Sequence, residues 1–255
     1  MAHAASMAFG KYRDFLGYLR PSWFKHQWRS VHWMNQRATP DKAYVPAPVE
    51  HIANVITHGI SILPSAYGSI VLLSRSTNWV QFTAAAVYGI SLVLCFAVST
   101  AFHCFFYTGK NRFLKEILHR GDRAMIYVFI AASYFPWLLL RPLPAHSLVS
   151  THLWWIVWAL AFFGIAYQQL FHEKYKNIGT MVYVMVALGP ALVVLQNKCL
   201  TRLEETRIIK GGLIYLAGIF FFKCDGIFPC AHAIWHLFVT FAASIHFFAI
   251  LDHLY

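Results

Sequence analysis

Seven apolar segments, each about long enough to cross a lipid bilayer as a helix, dominate this chain of 255 residues. They run over 52–74, 80–106, 122–140, 153–171, 178–196, 209–222 and 230–251. The composition fits that reading, because only 12% of the residues are charged, whereas a soluble domain carries roughly 25%. Mean hydropathy is +0.51. The 22 Phe, 13 Tyr and 9 Trp residues suit a surface where rings face lipid and line its interfaces. The expected fold class is all-α: a polytopic membrane protein built as a bundle of seven transmembrane helices.

The sixth segment is the weakest, being interrupted by Gly211, Gly212 and Gly218. In lipid, small residues permit close helix approach, so the interruption does not forbid a helix. Pro136 and Pro190 fall inside the third and fifth segments, where kinks are tolerated if neighbouring groups satisfy the freed carbonyls. Residues 1–49 read as a basic N-terminal tail and 50–255 as the membrane domain. The stretch Phe9 to Leu19 is amphipathic and is expected either to lie along headgroups or to be disordered. No signal-peptide pattern opens the chain, so the first span is expected to direct its own insertion. Five cysteines show no framework spacing, and no structural disulfide is expected.

Orientation follows from the basic residues. A cytosolic N-terminus places fifteen Lys and Arg residues in inside segments and six on the opposite side. The tail is therefore expected in the cytosol and the C-terminus outside or in a lumen. The net charge of +11 points to anionic lipid headgroups as partners rather than nucleic acid, since no RNA-binding motif accompanies it.

In that orientation, polar groups of four spans fall at one depth, near the cytosolic face. The second span ends with Ser99 and His103, the third begins with His119 and Asp122, and the seventh begins with His232 and His236. The first opens with Glu50, His51, Asn54, Thr57 and His58. His232 and His236 are four residues apart, one helical turn, so both imidazoles leave the same face. With His103 they supply three neutral imidazoles, the ligand count of a catalytic zinc site, whose fourth position is left to water. Asp122 is a candidate general base or orienter of that water, and Ser99 a hydrogen-bonding neighbour of water or substrate. The competing reading is structural, since a lone histidine in a span is often a satisfied interior group. His51 and His58 are either outer partners of the cluster or contacts between helices, and His246 reads as an ordinary polar contact. Asp225 is expected in a turn, paired with Lys223 or another cation of the inside loops.

These residues resemble a known family. Ser99, His103, Asp122, His232 and His236, in this order on seven spans, are similar to the progestin and adipoQ receptor family, related to the bacterial haemolysin III proteins. Glu50, Asn54, Thr57 and His58 match its first-span motif. The stretches 129–134, 172–176, 210–215 and 225–239 resemble its monocyte-to-macrophage differentiation factor branch. The resemblance spans about 44–255 and does not extend to roughly the first 35 residues.

The resemblance implies zinc on His103, His232 and His236, with Ser99 and Asp122 beside the metal. It implies a chemistry like that of alkaline ceramidases, hydrolysis of a lipid amide. It also implies a Golgi or other internal membrane and a signalling role. Family members that bind adiponectin carry a longer acidic N-terminal region and a C-terminal extension. Here the chain stops at Tyr255, so adiponectin binding is not implied. Two functions remain open: a zinc-dependent lipid hydrolase, and a non-catalytic receptor or scaffold with structural zinc that recruits cytosolic signalling proteins. A retinal pump is disfavoured because the seventh span has no lysine. A G-protein-coupled receptor is disfavoured because Asp122 and Arg123 open the third span instead of closing it.

Overall fold

The computed structural model describes residues 32–37, 44–108, 111–141, 143–145, 148–196 and 198–255. Most of the tail 1–49, including Phe9 to Leu19, lies outside the described residues. The membrane domain belongs to one compact unit, Met34–Tyr255. Among the described residues its helices are α1 (Pro48–Arg75), α2 (Trp79–Thr108), α3 (Arg112–Leu140), α4 (Leu148–Leu170), α5 (Lys176–Gln196), α6 (Arg202–Phe222) and α7 (Ala231–Leu254).

Among the described residues, six helices are long and apolar enough to cross a membrane. The exception is α6, which has 21 residues but carries Arg202, Glu204, Glu205, Arg207 and Lys210 in its first half. Two of those charges, Glu204 and Arg207, are held by other chain segments. Arg141 reaches Glu204 at 3.1 Å, His253 stands 3.9 Å from the same carboxylate, and Arg207 pairs with Asp252.

Two helices begin well before their apolar segments. Asn111 caps α3, its side chain accepting from the Leu114 N–H, and the helix starts at Arg112, ten residues ahead of the apolar start at 122. Thr201 and Glu204 form a reciprocal capping box at α6, seven residues ahead of 209. Hydropathy marks what lipid can solvate, whereas a capped helix runs on through a polar interface.

α1 is built inside out relative to a soluble helix. Its buried face is Glu50, His51, Asn54, His58, Ser61, Ser65, Gly68 and Ser69, with Leu72 alone apolar and large. Ile52, Ile56, Ile60, Leu63 and Ile70 face outward. Ser61, Ser65 and Ser69 each donate to the carbonyl four residues back, which lets polar residues line a helix interface without stranded hydroxyls. α1 packs between α2 and α7, and α3 bridges to α4 and α5. One apolar cluster joins α1, α2, α3 and α7 around Leu72, Tyr88, Phe129 and Ile250, and a second joins α3, α4 and α5 around Tyr127, Val157 and Val186.

Two of the three glycines of α6 serve close approach. A Cβ on Gly211 would run into the His246 ring at Nε2, and one on Gly218 would meet Phe238 Cβ at 2.6 Å. Gly212 faces open space. Pro64, Pro136 and Pro190 all sit inside helices. The Tyr134 hydroxyl donates to the Ala187 carbonyl, next to the Val186 carbonyl that Pro190 leaves without a donor. None of the five cysteines forms a disulfide.

Candidate metal centre

α7 begins at one end of the bundle without a side-chain cap of its own. Its N-cap is Cys230, in left-handed backbone at φ 54°. The capping acceptor comes from another helix: Glu50 Oε1 of α1 accepts the backbone N–H of His232 at 3.1 Å. A buried carboxylate on the first turn satisfies an orphan donor and complements the helix dipole. It also fixes where the His232 side chain starts.

His103 of α2 and His232 and His236 of α7 then converge, with one ligand atom from each lying within 4.8 Å of the others. His103 is 1% exposed and His236 2%. Each imidazole meets an outer polar group through Nδ1. His236 Nδ1 lies 3.1 Å from Thr57 Oγ1, whose own hydrogen goes to the Ala53 carbonyl at 2.9 Å, so the hydroxyl accepts from the ring. His103 Nδ1 lies 3.4 Å from the Asn54 amide nitrogen, while Asn54 Oδ1 is buried without a partner. Turning that amide end for end lets the oxygen accept Nδ1–H, an assignment set by the network and not by shape. His232 Nδ1 stands 3.8 Å from Asp225 Oδ1, and neither atom has another partner. Asp225 stands in the turn between α6 and α7 as expected, but its carboxylate faces His232, while Lys223 Nζ donates to Asn177 Oδ1 at 2.7 Å. Burial, with Glu50 next, pushes the Asp225 carboxyl up to about 7, against the pull of Arg123, Lys176 and Lys223.

This pattern fits a metal ion. Nδ1 is the nitrogen each ring turns to its outer neighbour, which leaves Nε2 for coordination. His103 Nε2 is buried with no hydrogen-bond partner. Such a group costs about 1–3 kcal/mol when left unsatisfied, and a cation among the three rings removes that cost. The three residues can hold a metal ion.

The remaining predicted residues surround the cluster. His58 stacks on His236 with centroids 3.7 Å apart and 13° between planes, and its Nδ1 meets Ser99 Oγ at 2.8 Å. Ser99 is therefore tied to His58 and 2% exposed. Asp122 lines the same cavity with Ser99 as its polar neighbour. His51 takes the other of its two readings, packing against Phe106 and Tyr107. His246 lies far along α7 against Tyr215 and Gly211.

Tyr44 was missed in the sequence. It stacks on His232 at 5.2 Å, and burial, then the carboxylates of Glu50 and Asp225, raise its hydroxyl pKa. Nothing in a tyrosine ahead of the first span marks it. The cavity behind the cluster has a volume of about 800 Å³ and carries Ser99, His103, Asp122, His232 and His236 on its walls, a size that accepts much of a small ligand.

Comparison with known proteins decides the relationship. The Haemolysin-III related family model matches residues 48–247. The chain belongs to this family. It is 42% identical over 228 residues to the human Monocyte to macrophage differentiation factor, covering 89% of this chain and 94% of that protein. The rat protein of the same name matches equally. The Hemolysin-3 homolog of Bacillus subtilis is 32% identical over 211 residues, 79% of this chain and 93% of the bacterial one. The family expectation drawn from the motifs is met, and with it an integral multi-pass membrane protein. All three clustered histidines of this haemolysin-III-related chain lie within the matched region.

Proposed function

We propose that this haemolysin-III-related protein holds zinc on His103, His232 and His236 and hydrolyses the amide of a membrane lipid. The observation that carries the reading is the buried, partnerless Nε2 of His103 beside two further imidazoles on the wall of a cavity of about 800 Å³. Zinc bound there supplies Lewis acidity towards a carbonyl oxygen and makes water acidic near neutral pH. Asn54, Thr57 and Asp225 hold the rings in one tautomer and orientation. Asp122 accepts the proton that water gives up as its oxygen adds to the amide carbonyl, and returns it to the departing nitrogen. The products are a carboxylic acid and an amine. Ser99, fixed by His58, keeps a hydroxyl beside the Asp122 carboxyl. The balance of basic residues supports a site near the cytosolic face, and the resemblance supports a Golgi or other internal membrane. The experiment compares cellular lipids in cells expressing wild type and Asp122→Asn. Accumulation of an amide-linked lipid with the variant, at unchanged metal content, supports the reading; identical lipid profiles contradict catalysis.

A second reading is favoured by one observation. The ligands come from α2 and α7, and the groups steadying two of them, Asn54 and Thr57, come from α1. A metal there ties three helices together, as a structural ion would in a receptor or scaffold for cytosolic signalling proteins. It predicts that Asp122→Asn changes neither lipids nor signalling while removal of the metal abolishes both fold and signalling.

A further inference from the structure

Away from the three histidines, cations from separate segments converge on the same cavity. Arg123 of α3, Lys174 before α5, Lys176 at its first position, Lys223 at the end of α6 and Arg37 all line it. The carboxylates on the walls are Asp122, Glu173 and Asp225, which leaves an excess of two positive charges with the histidines neutral. Residues 176–180, the first turn of the 21-residue α5, line the cavity as well, so the positive end of that helix adds to the field.

The local acid is already engaged. Glu173 sits in left-handed backbone at φ 61°, bridged by Arg123 and by Lys176 at 3.2 Å, with His119 at 3.5 Å. His119, His172 and Glu173 could hold a metal by spacing, since their ligand atoms lie within 4.8 Å of one another. Charge decides against it. A divalent ion there would face two cations already on the carboxylate, and like charges ~4 Å apart repel by about 4 kcal/mol per unit pair near a protein surface. The opposite sign is what this wall lacks. Lys223 donates to a neutral amide, Asn177. Burial first, and then Lys176, Arg123 and Arg37 against the pull of Asp225, hold its pKa below the ordinary lysine value. His172 is likewise lowered by burial and by Arg123.

Loop cations that only orient a membrane protein need no common target. These converge on one wall, where the Arg123 and Lys176 side chains are only 23% and 25% exposed and Lys223, Lys174 and Arg37 stand exposed at its rim. The lining also has apolar members, among them Ile126 one turn from Asp122, and Trp235 and Val239 within a turn of His236. We propose that the Arg123, Lys176 and Lys223 wall seats a phosphate-type anion carried as the headgroup of a lipid, whose apolar body extends towards the three histidines. This rests on the reading that the cavity admits a lipid and narrows the substrate class to one with an anionic head.

The test uses the full chain purified in uncharged detergent, with melting temperature followed during titration by oleoyl lysophosphatidate, oleoyl lysophosphatidylcholine and inorganic phosphate. Lysophosphatidate is expected to stabilise saturably at a concentration about tenfold below its choline counterpart, the worth of one charged hydrogen bond. Lys223→Gln and Lys176→Gln should each erase most of that preference, and Lys223→Arg should restore it. Equal response to the two lysolipids overturns the proposal, as does an unchanged preference in both glutamine variants. Inorganic phosphate acting at the same concentration as lysophosphatidate assigns the seat to free phosphate and overturns the lipid assignment. Zinc is measured on the same samples. A headgroup preference in a metal-free wild type would sink the hydrolase reading and leave this one standing, whereas bound zinc without the preference would do the reverse.

Discussion

At the residue scale the centre depends on groups that touch no metal. Asn54 and Thr57 turn two ligands, Glu50 anchors the backbone of the third, and Asp225 faces its ring. Outer partners of this kind are each worth roughly 10–100-fold in metal affinity. Asn54→Leu is accordingly expected to weaken metal binding by about 10–100-fold in chelator competition, while His51→Phe, which keeps a ring against Phe106 and Tyr107, leaves it unchanged. Equal affinity for the two variants would show that Asn54 does not orient His103. The three histidines were legible in the sequence because spacing and span polarity put them at one depth. The cap from Glu50 to His232 was not, because it joins residues 182 positions apart and exists only once α1 lies beside α7. That Asp225 faces His232 was missed for the same reason: the nearest cation in sequence is not the nearest group in space.

At the scale of elements, α6 separates length from apolarity. Its charged first half rests on the Thr201 and Glu204 cap and on Arg141, Asp252 and His253, none of which a hydropathy window registers. Thr201→Ala is expected to cost about 1 kcal/mol, read as a lower melting temperature of the purified protein. The glycines of the same helix give a sharper pair. Gly218→Val drives a side chain into Phe238 and Trp235, and overpacking of this kind costs about 1–3 kcal/mol. Gly212→Ala meets open space and should be neutral or stabilising by about 0.5–1 kcal/mol, because a helical glycine loses more entropy than alanine on folding. If the two variants melt alike, α6 does not pack on α7 through Gly218. Composition announced three glycines, but only the crossing of the helices distinguishes Gly211 and Gly218 from Gly212.

At the scale of the molecule, the bundle has two polar ends with apolar clusters between them. One end gathers Glu204, Arg141 and His253, and the other gathers the histidines, Asp122 and the cationic wall. The all-helical membrane fold was legible throughout, since continuous apolar runs admit few alternatives. The cavity was not, because its walls come from side chains of all seven helices, the turns after α4 and α6 and the segment before α1, which no local pattern links. A metal at the histidine end would join α2 to α7 beside α1, so its removal should be felt by the whole fold. Binding to the native state alone contributes about 2.7 kcal/mol at a hundredfold excess over Kd. A chelator is thus expected to lower the melting temperature of wild type and to leave a His103→Ala variant unmoved. The most direct measurement is the metal content of the purified full chain, determined by mass spectrometry for wild type, His103→Ala and His232→Ala. The account predicts about one zinc per wild-type chain and little in either variant; a zinc-free wild type, or variants that keep the full complement, would contradict it.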